Sequence, residues 1–458
     1  MSQAGYIRDV MTNPAQDSAA GPSEVASFYA GRNVLLTGGT GFLGKLLMER
    51  ILRYTVTKNS NNRTVIPFSL QIFDRLRTEK PMFAQKVVLI ESDLAEIGLG
   101  LSSEHRELLR STHIVLHGAA TVRFDDKLRI AVSINVRGTQ ELLSLAKEMM
   151  DLKAFVHIST AYSNCVHDEI DEKFYPPPID SDKLLSLLDI LDDASLDHLT
   201  PVLLGKWPNT YAFTKAVAED TIRRNCQSLP LCIVRPSIVI ATSKEPVAGW
   251  INNFYGPTGI VLGAGVGLLR TLHCDANLVA DLIPADYVVN NIIVAAWDTD
   301  EEPPTIYNAV SSSQKPITWG QLMKYIEEFG MSIPSMMCVW YYCFRLNKHR
   351  WVHNLLVIFL HLIPAAIVDT LKIHKFSSVL DFFVMHEWRF YNNNVQQLWK
   401  RLGPADRSEF DFDIGGLDWK AYTYHYTCGL RIYLLKDPLD TLPQGHAKYA
   451  KYDLYICI

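Results

Sequence analysis

Residues 34–44 read VLLTGGTGFLG and run on as KLLMERILRY, so a short apolar strand breaks into Gly38, Gly41 and Gly44 and resumes with helical spacing. Few ligands need this. Glycine at these places permits a tight turn, lets backbone approach a pyrophosphate and allows close helix packing. The first turn of the helix then offers unpaired N–H groups to the anion. The stretch predicts a dinucleotide site at the first strand-to-helix junction.

Apolar runs recur at NVLLTGG, KVVLIESDL, HIVLHGAA, AFVHISTA and LCIVRPSIVI, and amphipathic stretches such as NVRGTQELLSLAKEMM lie between most of them. This alternation predicts βαβ units on a parallel sheet up to about residue 300. The acidic, proline-bearing WDTDEEPPT at 297–305 reads as a surface turn or linker, and residues 317–440, richer in Trp, Tyr and Phe, read mostly as helices. The expected organisation is a flexible tail at 1–30, an α/β dinucleotide-binding unit at 31–305 and a smaller, mainly helical unit at 306–458.

A chain of 458 residues with 48% hydrophobic and 20% charged composition can fill such cores. Its net charge of -5, with Lys and Arg scattered, offers no field for a nucleic-acid backbone, so no nucleic-acid partner is expected. The eight cysteines show neither a Cys-x-x-Cys pair nor zinc-site spacing. They read as buried thiols of a reducing compartment, with no metal. The polar N-terminus, MSQAGYIRDVMTNPAQDSAAGPSE, has no apolar leader, which points to a protein that faces the cytosol.

Catalytic groups are sought further along. In NTYAFTKAVAEDTIRR, Tyr211 and Lys215 stand four apart on a helix capped by Asn209 or Thr210, which puts both side chains on one face. An ammonium beside a phenol stabilises the phenolate and lowers the phenol's pKa, so the pair can move a proton to or from a carbonyl oxygen. Tyr54 and Lys58 in YTVTK share the spacing but lie at the end of the first helix, away from where a nicotinamide belongs. Ser159 and Thr160 close the strand AFVHIST at the edge where open α/β sheets bind ligands, and one of them is expected to hydrogen-bond the reacting oxygen. Asp93 in ESDL could accept from adenine. Ala119 and Ala120 in LHGAAT are small enough to let a cofactor lie flat.

Together, Thr37 to Gly44, HGAATVRFD, INVRGTQELL, AFVHISTAY, YAFTKAVAE and CIVRPSIV resemble the extended short-chain dehydrogenase/reductase superfamily. The sharper resemblance is to the eukaryotic fatty acyl-CoA reductases, carried further by GWINNFYGPTGI, EWRFYNNNVQQLW and LDWKAYTYHYTCGLRIYLLKD. It implies a Rossmann-type doubly wound parallel sheet with a smaller helical C-terminal domain, and NADPH-dependent reduction of a long-chain acyl-CoA to a fatty alcohol through a bound aldehyde. Tyr211, Lys215 and Ser159 or Thr160, with Ser159 preferred, would then be catalytic. Thr37, Gly38, Thr40, Gly41, Phe42, Leu43, Gly44, Asp93, Ala119, Ala120 and Lys215 would hold the cofactor. Two other functions share parts of the pattern: another dehydrogenase or epimerase of the superfamily, against which the segment from Trp388 to Lys436 argues, and a catalytically weakened lipid-binding relative.

The sequence departs from the family in two places. The usual second strand, with an arginine for the 2′-phosphate of NADPH, is replaced or shortened, with TVIPFSL as a substitute strand. That leaves Arg63, Arg75 or Arg77 as candidate cations and Asp74 as an opposing charge. The chain also stops at KYAKYDLYICI, without the family's hydrophobic anchor. The stretch LLVIFLHLIPAAIV at 355–368 is shorter than the roughly 20 residues that span a bilayer. It fits a buried helix, an acyl-binding wall or a membrane-surface contact through 351–375, the last on the cytosolic side of endoplasmic reticulum or peroxisome. His353 and His361 read as packed or interfacial. Nothing in the sequence fixes an oligomeric state.

Overall fold

The computed structural model describes residues 21–54, 69–299, 303–359 and 381–456. Five parallel strands form the central sheet: β1 (Val34–Thr37), β2 (Ile114–His117), β3 (Ala154–Ile158), β4 (Leu231–Pro236) and β5 (Thr305–Ala309), paired in that order. Their side chains alternate between two covered faces, as a buried parallel sheet requires. Ile114, Leu116 and Val156 join a core with Leu46 and Leu47 of α1 (Phe42–Tyr54) and Ile292 of α4 (Ala285–Trp297). Val115, Phe155 and Ile233 face the other way, onto Leu142 and Leu143 of α2 (Gly138–Ala146) and Ile222 of α3 (Thr210–Asn225). Each such side chain fully withdrawn from water contributes about 1.5–3 kcal/mol. The expected doubly wound architecture is present, and all five strands deliver their C-terminal ends to one edge.

Three expectations are corrected. The run KVVLIESDL, read as a strand, is irregular at 87–93. Its end is held by a local turn, in which the Asp93 N–H donates to Leu99 O at 3.0 Å. In the described sheet β1 pairs only with β2, and its residues are half-buried. The segment TVIPFSL lies outside the described residues up to 68.

The boundary at residue 305 falls inside the sheet, because Thr305–Ala309 pairs with β4 from Cys232↔Thr305 to Pro236↔Ala309. A short buried strand after an acidic, proline-bearing link has too few residues to show a period. The tail at 1–30 is not loose to its end either. Helix Glu24–Tyr29 docks with Val25 and Tyr29 buried, Tyr29 Oη donating to Ile293 O at 3.0 Å and Val25 N–H donating to Asp406 at 3.2 Å.

Beyond β5 the chain is mainly helical. It includes α5 (Trp319–Ser332), started by a Thr318/Gln321 capping box, α6 (Arg350–Val357) and α7 (Trp419–Gly429). This part is built onto the sheet rather than beside it: Tyr422 Oη donates to Ala241 O at 2.8 Å, and Trp388 Nε1 donates to Cys165 O at 3.0 Å. Of the eight cysteines, the seven within the described residues are free thiols, six of them buried.

Candidate active site

The glycine turn opens the site. β1 ends at Thr37, and Gly38 takes φ +74°, where any side chain is strained and a Cβ would also sit 2.9 Å from the Ala119 backbone. A Cβ on Gly44 would run into the Gly38 carbonyl, so that position closes α1 against the turn. At Gly41 a Cβ would meet only Gly38 O, at 3.1 Å, with the rest of its surroundings open. Gly41 and Thr40 are exposed at the tip, beside a cavity of about 1520 Å³ that Thr37, Phe42, Leu43, Ala119, Ala120 and Asp93 also line. This is a cradle that backbone alone can offer to an anion, and a dinucleotide fits it.

Beneath the turn, Thr37 Oγ1 accepts from Ala119 N at 3.2 Å and lies 2.8 Å from His117 Nδ1. His117 Nε2 lies 3.1 Å from Thr139 Oγ1, whose own hydroxyl donates to Asn135 O at 2.7 Å. The ring proton therefore sits on Nε2, and Nδ1 accepts from Thr37. Burial and the Lys215 charge hold His117 down at about 3, so it stays neutral. Asn135 Nδ2 continues the chain to Thr214 Oγ1 on α3 at 2.9 Å. The network ties the glycine turn to α3.

α3 begins as expected, with Asn209 capping the helix by accepting from Ala212 N at 2.8 Å. Tyr211, Lys215 and Glu219 follow at one-turn intervals on a single face. Tyr211 is half-buried on the cavity wall, its ring stacked on Phe124 at 5.7 Å, and its hydroxyl is hydrogen-bonded with Thr160. Lys215 is buried and donates to Ile158 O at 2.9 Å.

Of the two candidate hydroxyls it is Thr160, not the preferred Ser159, that meets Tyr211. Ser159 Oγ donates to Glu219 at 2.5 Å, and Glu219 is itself paired with fully buried Arg235 at 2.7 Å. The choice depends on which hydroxyl faces α3's first turn, and strand alternation alone leaves that open. Glu219, Arg235 and Asn135 were missed as supporting residues. The one available signal was the spacing of Glu219, one turn past Lys215.

The electrostatics differ from the sequence expectation. Burial pushes the Tyr211 phenol up to about 12, against the pull of its bond to Thr160. Burial also lowers Lys215 to about 8, with Glu219 pulling the other way. The phenol therefore holds its proton firmly.

Two of the three cations expected near the ribose are paired with acids. Arg75 pairs with Glu79 at 2.6 Å and Glu245 at 3.0 Å, and Arg77 pairs with Asp74. Arg63, Lys58 and His361 lie outside the described residues. Asp93 is exposed on the cavity wall, accepting from Ala95 N at 2.8 Å. His353 packs against Thr271, with Nδ1 3.2 Å from Oγ1. Among the described residues, no group of three His, Cys, Asp or Glu side chains is placed to hold a metal.

Past Tyr211 the same cavity continues between α5 and the segment Pro257–Gly265, walled by Ile260, Val261, Leu322, Met323 and Phe383. The site thus joins an anion cradle, a phenol with its hydroxyl partner and an apolar arm in one volume.

Comparison with known proteins agrees with this construction. The NAD-binding profile described as male sterility protein matches residues 36–292, and a second profile of the same description matches residues 367–437. The fatty acyl-CoA reductase wat of Drosophila melanogaster is 37% identical over 460 residues, covering 94% of this chain and 89% of that protein. Fatty acyl-CoA reductase 1 of Rattus norvegicus is 38% identical, covering 92% and 88%. Among solved structures, the terminal R domain of the myxalamid PKS-NRPS pathway matches with TM-score 0.58 at 20% identity, covering 89% of this chain and 93% of that one, which shows the shared fold. With a profile over more than half of the chain and relatives this similar over nearly all of it, the chain belongs to the male sterility protein family of fatty acyl-CoA reductases, oxidoreductases with a nicotinamide-cofactor-binding domain.

Proposed function

We propose that the protein reduces a long-chain fatty acyl-CoA to the primary alcohol at the expense of two NADPH, through an aldehyde that stays bound. The observation that carries this reading is the single cavity running from the glycine turn past Tyr211 into an apolar arm. When bound, the nicotinamide supplies hydride. The acyl carbon gains a C–H bond and loses coenzyme A as its thiol, and the resulting aldehyde is reduced once more.

Negative charge grows on the carbonyl oxygen in both rounds, so a donor fixed at that oxygen contributes most. Tyr211 fills the role. A phenol held near 12 stays protonated at working pH and gives its proton only to a base as strong as an alkoxide. Thr160 orients that hydroxyl, and Lys215 supplies positive charge beneath it. Thr37, Gly38, Thr40, Gly41, Phe42, Leu43 and Gly44 seat the dinucleotide, with Ala119 and Ala120 beneath its flat ring.

The test is purified protein with acyl-CoAs of graded length, following cofactor oxidation and identifying the product. Expected are alcohol and two cofactors oxidised per alcohol; release of aldehyde at one cofactor each would refute the two-step reading. The pH profile adds a check on Lys215. Its ammonium is present below about 8 and lost above, so kcat/KM should be flat up to about pH 8 and fall beyond it. A rate that rises through that range would remove Lys215 from the role.

The membrane contact is proposed on α6. Trp351, Leu355, Ile358 and Phe359 share one face and are 70%, 50%, 49% and 58% exposed, while Arg345, His349 and Arg350 are exposed just before and at the start of the helix. An amphipathic stripe behind a basic edge suits the anionic surface of a bilayer, on the cytosolic side of the endoplasmic reticulum or a peroxisome. Among the described residues no helix is long and apolar enough to cross a membrane. Co-flotation with phosphatidylserine vesicles should fall by about tenfold or more in Trp351→Ala/Leu355→Ala, from the apolar burial lost. Equal flotation of parent and variant would refute the contact.

A further inference from the structure

We infer that Lys45 is the cation that recognises the 2′-phosphate of the dinucleotide, and so sets a preference for NADPH over NADH. The inference rests on the reading of the glycine turn as the dinucleotide's seat. The cavity leaves that turn in two directions. Inward it passes Ala119 and Tyr211, the nicotinamide end; outward it follows Val34, Leu35 and Leu36 on the side of β1 that pairs with no strand among the described residues. Lys45, Met48 and Leu52 of α1, at i, i+3 and i+7, wall the outward arm. In doubly wound sheets the adenosine ribose lies on that outer side of the turn, where an acidic side chain takes the 2′-hydroxyl or a cation takes the 2′-phosphate.

Lys45 follows Gly44 directly, in the first turn of α1. Among the described residues the other cations of this region are engaged, and Lys58 and Arg63 lie outside them. Arg32 is bonded to the Phe28 carbonyl and lies 4.3 Å over the Phe28 ring. Arg50, Arg53 and Arg75 converge on Glu245, and Arg77 is paired with Asp74. The Lys45 ammonium has no hydrogen bond or ion pair among the described residues, and burial alone lowers its pKa. A half-buried ammonium with no acid bonded to it among the described residues, on the wall of this arm, is suited to an anion. Lys86 is the second cation on this arm and carries its own contacts.

The experiment is calorimetric titration of the folded protein with NADPH, NADH, adenosine 2′,5′-bisphosphate and 5′-AMP, for the parent, Lys45→Ala, Lys45→Arg and Lys86→Ala. Lys45→Ala should weaken NADPH and the bisphosphate by about tenfold or more, the size of one charge-assisted hydrogen bond, and leave NADH and 5′-AMP within about twofold. Lys45→Arg should restore the preference. Equal weakening of NADPH and NADH would overturn the inference, because Lys45 would then meet the shared pyrophosphate. Loss of the preference in Lys86→Ala with Lys45→Ala unchanged would assign it to Lys86 instead. A parent that binds neither dinucleotide would overturn the reading of the glycine turn, and this inference with it.

Discussion

Tyr211→Phe is expected to lower turnover by about 10²–10⁴, the range for loss of a positioned general acid, while dinucleotide affinity and thermal stability stay close to the parent's. The substitution removes one oxygen and little else. The ring remains stacked on Phe124 at 5.7 Å, and α3 keeps its Asn209 cap. Thr160 loses a partner but still lies 3.5 Å from Pro236 O and accepts from Tyr162 N at 3.3 Å. The proposed proton donor is thus deleted without a cavity or a broken cap to confuse the result. Tyr54→Phe, at the last residue of α1, should change nothing. A Tyr211→Phe enzyme within about threefold of the parent, or a Tyr54→Phe enzyme slowed as much, would move the chemistry elsewhere in the cavity.

The parts legible in the sequence are those whose geometry is local. The strand–glycine–helix junction, the Asn209 cap and the shared face of Tyr211 and Lys215 each follow from spacing within one or two turns, and each stands where spacing put it. What stayed hidden depends on contacts distant in the chain. Thr160 rather than Ser159 meets Tyr211 because Glu219 and Arg235, 60 and 76 residues beyond Ser159, have taken the serine hydroxyl. The raised pKa of Tyr211 has the same origin: desolvation by the surrounding fold outweighs the hydrogen bond from Thr160, and neither can be read from the spacing of Tyr211 and Lys215.

Two of the expected ribose-side cations are engaged with acids for a related reason. Arg75 and Arg77 are near the expected strand in sequence, yet Glu245 and Asp74 hold them, and Glu245 belongs to a loop 170 residues beyond Arg75. Glu49 and Glu245 show how the surroundings set charge in this cluster. Burial raises Glu49 to about 7. Glu245 is also penalised by burial, but Arg50, Arg53 and Arg75 together hold it at about 2. A charge so surrounded draws guanidinium groups away from the cofactor side, and no reading of local spacing anticipates it.

The second large effect is expected at Gly41, where Val should abolish dinucleotide binding in a protein that still folds. The three glycines differ in what a side chain would strike. At Gly38, φ of +74° and the Ala119 backbone 2.9 Å from a Cβ make substitution a folding defect; at Gly44 the obstacle is the Gly38 carbonyl, inside the turn. Gly41 is exposed, has no left-handed φ, and its Cβ would need only a small adjustment against Gly38 O at 3.1 Å. Its amide can keep donating to Gly38 O at 2.9 Å, and its carbonyl can keep accepting from Lys45 N at 3.1 Å. The valine methyls would instead project where a pyrophosphate must touch the turn's N–H groups, and a gap opened there cannot be refilled by a longer side chain. Gly41→Val should therefore show a parental far-ultraviolet dichroism spectrum and a melting temperature within a few degrees, with no saturable NADPH or NADH binding. Gly44→Ala should lose stability first. Tight dinucleotide binding by a folded Gly41→Val protein would remove the glycine turn from the cofactor site, and the positions assigned to Thr37, Ala119 and Lys45 would fall with it.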